Sequence, residues 1–128
     1  MREILFRGKD IKEHWQIGLL AHIGNAWYIS NSAGIPTACE VIPSTIGQYT
    51  GLTDKNGKRI FEGDILRLAY HPEEDVIIEW HDGRFNFRKK NRPKDYGYER
   101  LCCVQIAVSH LRVIGNIYDN PELLRSEE

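Results

Sequence analysis

From Val76 to Phe87 the chain is patterned to double back on itself. Val76, Ile78 and Trp80 alternate with Ile77 and Glu79, the two-residue period of an extended strand. Asp82-Gly83 follows with residue types that accept the positive φ angles of a type I′ turn. With Asp82-Gly83 as a two-residue loop, the register sets His81 opposite Arg84, Trp80 opposite Phe85 and Ile78 opposite Phe87. The large apolar groups then meet on one face, and that face, Trp80 included, is expected to be core.

Other turns repeat the theme. Asn56-Gly57, between residues 50–54 and 59–61, predicts a second tight hairpin, and Gly24-Asn25, between residues 15–20 and 26–29, a third. Glu62-Gly63-Asp64 predicts a sharp turn with Gly63 in a left-handed conformation, ahead of the apolar residues 65–68. Val104, Ile106 and Val108 share one face of a later alternating stretch, and Val113, Ile114 and Ile117 carry the apolar character onward as closing strands. Residues 30–36 and 89–97 read as loops. Residues 120–124 alone look helical, with Asn120 as N-cap, Pro121 at the first helical position and Glu122 in the first turn. The expectation is an all-β, small barrel-like antiparallel fold of short hairpins with one short C-terminal helix.

At 128 residues the chain can bury around two thirds of its unfolded surface, so it needs no disulfide or metal staple. Residues 1–128 read as one domain, with residues 1–42 as a candidate β subdomain packed on 43–128. The 17 Lys+Arg and 18 Asp+Glu nearly cancel, so a phosphate or lipid partner would have to be held by a local patch. Cys39, Cys102 and Cys103 show no C-x-x-C spacing and read as reduced thiols of a cytoplasmic protein. The opening ten residues place Arg7, Lys9 and Asp10 after a short apolar run, too short for a secretion signal or a membrane span. The expectation is a protein neither exported nor membrane-anchored.

Three stretches carry a resemblance: the opening Arg2-Glu-Ile-Leu-Phe-Arg7, the centre Val41-Ile-Pro-Ser-Thr-Ile-Gly-Gln-Tyr-Thr-Gly-Leu-Thr-Asp-Lys-Asn-Gly-Lys-Arg-Ile-Phe-Glu-Gly-Asp-Ile65, and the close Val113-Ile-Gly-Asn-Ile-Tyr-Asp-Asn-Pro-Glu-Leu123. In this order they make the chain resemble the YopX family of bacteriophage and prophage proteins over nearly its whole length. The resemblance implies an intracellular, phage-encoded accessory protein of unassigned activity, mostly β and oligomeric. Family members often have an acidic residue where Arg59 stands and Tyr where Phe61 stands. Their variable parts fall around residues 8–38 and 70–105, so partner specificity can differ between members.

Within the central run Gln48, Tyr49, Thr50, Asp54, Glu62 and Asp64 present varied polar groups on turns, a candidate binding surface. The same residues have a plainer use: Asp54 can make an Asx-turn, and Glu62 or Asp64 can accept local N–H groups. As a calcium loop the segment beginning at Asp54 fails, because it has Ile65 where the bidentate Glu belongs. His14, His22, His71, His81 and His110 form no metal-ligand spacing, the cysteines suggest no Cys-His nucleophile, and no G-x-S-x-G, Walker or Rossmann glycine pattern occurs. No cofactor, metal or catalytic activity is expected.

Arg84, Arg88, Lys89, Lys90, Arg92 and Lys94 are interleaved with Phe85, Phe87, Tyr96 and Tyr98. Cations beside aromatics bind phosphates and stack bases, which makes a nucleic-acid-binding small β-barrel using residues 84–98 the alternative function. Against it, the hairpin register already claims Phe85 and Phe87 for the core, and lysines commonly protect a sheet edge. Trp15, Trp27, Tyr28 and Tyr49 are candidate interface anchors, with core filling as their plainer role. The expected function is a non-catalytic interaction module that self-associates or binds a host or phage protein, with no membrane partner.

Overall fold

The structure, a computed structural model, describes residues 4–30, 38–68, 71–81, 84–89, 99–100 and 111–124. Among these the chain is all-β, with strands β1 (Phe6–Lys9), β2 (Trp15–Ile23), β3 (Ala26–Ser30), β4 (Ala38–Val41), β5 (Gly47–Thr53), β6 (Arg59–Phe61), β7 (Asp64–Leu68), β8 (His71–His81), β9 (Arg84–Lys89), β10 (Glu99–Arg100) and β11 (Leu111–Asn116). The strands form two antiparallel sheets and not the closed barrel that the short hairpins suggested, because each sheet keeps edge strands, β4 in the first and β10 and β11 in the second. By contacts the chain divides into two compact units, Met1–Gly51 and Leu52–Glu128.

In the first unit the strand order is β4-β3-β2-β1-β5. β2 serves two neighbours with its two halves: Trp15 to Gly18 pair with β1, and Leu19 to Ile23 pair with β3. The changeover falls at Gly18, where a Cβ would lie 2.1 Å from the Ser30 carbonyl oxygen, so a side chain there would push the strands apart. β2 and β3 meet at the expected Gly24-Asn25 hairpin, with Gly24 at φ +63°. The end of β4 returns to β1, where the Ile42 N–H donates to the Lys9 carbonyl at 2.8 Å and the Lys9 N–H donates to Thr45 Oγ1 at 2.9 Å. Between them Pro43–Thr45 makes a 3-10 turn that the strand patterning does not announce. Ile29, Val41 and Tyr49 are buried in this unit.

In the second unit the order is β10-β9-β8-β7-β11. β8 and β9 have the register expected from Asp82-Gly83, a dipeptide that itself lies outside the described residues: His81 faces Arg84, Trp80 faces Phe85 and Ile78 faces Phe87. Burial corrects the expectation for one ring of this ladder. Phe85 is 8% exposed and joins Ile60, Leu66, Val76 and Ile78 in the core, whereas Trp80 is 50% exposed. The cluster ends at the Ile78 level, and the indole stands past it, in a T-shaped contact with Phe85 at 4.8 Å. The hairpin is also not one-sided, since Ile77, opposite Ile65 of β7, is buried on the other face.

β11 pairs with β7 across a bulge between Val113 and Gly115. The stretch holding Val104, Ile106 and Val108 lies outside the described residues. At the C-terminal end Pro121–Leu124 forms a single 3-10 turn, as four residues allow. Asn120 does not cap it in the expected way; its side-chain oxygen instead accepts the Asn116 N–H at 3.2 Å, reaching backward along the chain. Among the described residues no helix is long and apolar enough to cross a membrane.

Candidate functional site

Asp54 closes the turn that opens the second unit. Its Oδ1 accepts the N–H groups of Asn56 at 2.8 Å and Lys58 at 2.9 Å, an Asx-type arrangement that leaves Gly57 at φ +80°. Its Oδ2 accepts the Val113 N–H of β11 at 2.9 Å, and the neighbouring Lys55 N–H donates to the Leu111 carbonyl at 3.0 Å. Burial alone would push the Asp54 carboxyl up. The N–H groups of Val113, Lys58 and Asn56 outweigh it and hold the group below its ordinary value.

The other central residues divide by burial. Gln48 is half-buried on β5 opposite Phe6, and Tyr49 and Thr50 are buried. Asp64 is buried and accepts the Phe61 N–H at 2.8 Å, which tightens the turn around Gly63, at φ +92°. Glu62 is half-buried and lines a pocket.

That pocket, of about 300 Å³, lies at one end of the second sheet. Two backbone hydrogen bonds assemble it: the Gly63 N–H donates to the Ile78 carbonyl at 2.7 Å, and the Ile117 N–H donates to the Gly63 carbonyl at 2.9 Å. The turn holding Glu62 and Gly63 is thereby set between Trp80 on one side and Ile117 and Tyr118 on the other. Tyr118 is fixed by the Asn116 side chain, whose Oδ1 accepts the N–H groups of Tyr118 at 3.0 Å and Asp119 at 2.9 Å. Glu79 also lines the pocket, but strand alternation sends its side chain to the face opposite Ile78 and Trp80. Glu62 came from sequence reasoning. Tyr118 and Ile117 did not, because nothing local in the sequence brings the close of the chain beside Gly63.

The basic segment is split. Arg88 donates from Nε and Nη2 to Glu79 Oε1, at 3.1 and 2.8 Å, so its charge is matched inside the sheet. Arg84 and Lys89 mark the two ends of β9, and Lys90, Arg92, Lys94, Tyr96 and Tyr98 lie outside the described residues. A second ion pair went unforeseen: Arg67 Nε and Nη2 donate to Asp75 Oδ1 and Oδ2, both at 2.9 Å, with Asp75 fully buried. The carboxylate raises the Arg67 pKa above its ordinary value.

Of the candidate anchors, Tyr49 is core, Tyr28 is half-buried, and Trp27 stacks on His22 with ring centroids 4.0 Å apart. The Trp15 ring carries Arg7 at 4.7 Å and Lys9 at 5.4 Å over it. A row of exposed apolar side chains lies on the outer face of β2, where Ile17, Leu19 and Ile23 are 42%, 55% and 66% exposed and Ala21 stands between them, also exposed. The same face holds Lys9, opposite Trp15, and reaches the exposed Glu40 through the rungs Ala21–Tyr28 and Tyr28–Glu40. Among the described residues no group of three or more His, Cys, Asp or Glu is placed to hold a metal ion.

Residues 6–125 match the family described as YopX protein. The chain is also similar to a solved structure, protein EF1440 from Enterococcus faecalis, at 26% sequence identity and a TM-score of 0.60, over 98% of this chain and 100% of that one. No curated protein matches.

Proposed function

This chain belongs to the YopX family, and from that premise we propose that it is a non-catalytic interaction module that self-associates, a phage-encoded accessory protein working in the bacterial cytoplasm. The observation that carries the reading is the row Ile17, Leu19, Ala21 and Ile23 on the outer face of β2. A contiguous apolar row on a sheet face is a common mark of an association surface. A second copy is the occupant, because the face is self-complementary: Lys9 lies toward the Trp15 end and Glu40 toward the Ile23 end. A two-fold axis near Leu19 sets each cation toward the anion of the other copy while the apolar rows meet.

Analytical ultracentrifugation of the full chain tests this. A dimer is expected at tens of micromolar, little changed by moderate salt, and Leu19→Asp or Ile23→Asp should convert it to monomer without loss of fold. A wild-type chain that stays monomeric across that range overturns the reading. The nucleic-acid alternative loses support from Arg88, whose guanidinium is engaged by Glu79.

A further inference from the structure

Across β8, β7 and β11 the second sheet carries a row of charges that does not balance. Asp75, fully buried on β8, accepts from Arg67 of β7 through both carboxylate oxygens, each at 2.9 Å. On the next strand Arg112 stands directly opposite Arg67, so the two arginine side chains leave the sheet on the same face. Like charges directly opposite one another weaken a ladder. Arg112 is half-buried, and among the described residues no carboxylate pairs with it. One anion and two cations in a row leave one positive charge over.

The backbone that carries this charge is held from two sides. β7 pairs with it on one side. On the other, the turn after β5 grips both neighbours of Arg112: the Lys55 N–H donates to the Leu111 carbonyl at 3.0 Å, and Asp54 Oδ2 accepts the Val113 N–H at 2.9 Å. A planar guanidinium on a fixed backbone gives up little freedom when it meets a flat oxyanion. The charge count then selects the anion. A nucleic-acid strand needs several cations along its phosphates, but Arg67 and Arg88 of this sheet already hold carboxylates. A single spare charge matches a monoanion, and an arginine fork matches a carboxylate, as Arg67 and Asp75 illustrate one strand away.

We propose that Arg112 is a docking point for an acidic partner protein and receives one Asp or Glu carboxylate beside the Arg67–Asp75 pair. All of these residues belong to the second unit, so the site is complete in a monomer and stands whether or not the β2 face dimerises.

The test follows the Arg112 Nε–H resonance, identified by its loss in Arg112→Gln, in the full-length chain at low ionic strength. The probes are a Gly-Glu-Gly peptide with blocked termini and the neutral Gly-Gln-Gly with the same blocks. Saturable movement of the resonance with the glutamate peptide is expected, with roughly fivefold weaker or no movement with the glutamine peptide, and a loss of binding in added salt. Arg112→Lys keeps the charge without the fork and should bind the glutamate peptide roughly fivefold more weakly, read from the backbone amides of Leu111 and Val113. Equal response to the two peptides, no response up to tens of millimolar, or equal movement of every arginine Nε–H overturns the proposal. So does tighter binding of inorganic phosphate than of the glutamate peptide, which would make the ligand a phosphate. Ultracentrifugation of Arg112→Gln completes the test: the dimer should persist, and its conversion to monomer overturns the proposal by making the occupant a second copy of this chain.

Discussion

The carboxylate of Asp54 reaches the N–H of Val113, 59 positions later in the sequence, at 2.9 Å. One side chain thereby ties the turn after β5 to the last strand of the second sheet. Three N–H groups depend on it, and removal leaves these part-buried donors without their acceptor.

Asp54→Ala should therefore cost about 1–3 kcal/mol in urea unfolding, and Asp54→Asn a similar amount, since an amide can turn its oxygen to only one side. The pH dependence gives a sharper check. A carboxyl held below its ordinary pKa contributes stability that is complete above the unfolded-state value, about 3.9, and is lost as pH falls through the lower folded-state value. The gap between wild type and Asp54→Asn is expected to be full at pH 6 and to shrink below pH 4. A gap constant down to pH 2 would remove the carboxylate from the explanation.

Arg67 and Asp75 form a two-pronged pair with the acid fully buried. Arg67→Met removes the guanidinium beside that buried charge and should destabilise by about 3–5 kcal/mol, whereas the double change Arg67→Met with Asp75→Leu should be milder than either single substitution. Chemical denaturation of the four proteins of this cycle measures the coupling directly.

Gly18→Ala places a methyl group against the Ser30 carbonyl, a backbone atom that cannot rotate away. A loss of about 1–3 kcal/mol is expected, seen as a lower thermal midpoint. The resonances that shift should be those of β2 and β3 in the first unit.

Arg88→Ala should act on stability, not on nucleic acid. It leaves Glu79 without its guanidinium and should cost about 1–3 kcal/mol. Filter binding to single-stranded DNA at low salt, where phosphate contacts are strongest, should not distinguish the variant from wild type. A steep, salt-sensitive loss of retention in Arg88→Ala would restore the basic segment as a nucleic-acid surface.

Turns and registers were legible in the sequence because their causes are local. Asp82-Gly83 sets which residues face one another across β8 and β9, and Gly24, Gly57 and Gly63 mark bends that favour positive φ. Burial was less legible: Trp80 and Phe85 are equivalent by register, and which ring is covered depends on where the cluster of Ile60, Leu66 and Ile78 ends. The Arg88–Glu79 pair was within reach, since the same register makes them diagonal neighbours. Arg67–Asp75 and the placement of Tyr118 beside Glu62 were not, because the first sits at a register shift in β7 and β8 and the second depends on β11 joining β7. No spacing rule encodes which of several compatible strands a late segment will choose.

That late segment has a consequence for biosynthesis. β11 docks on β7, while β8, β9 and β10 all emerge from the ribosome in between. At roughly 5–20 residues per second, a nascent chain waits several seconds after making Asp54 before the amide of Val113 exists to meet it. Through that interval the outer edge of β7 is open, so premature pairing with another polypeptide is the hazard during translation that the finished protein no longer shows.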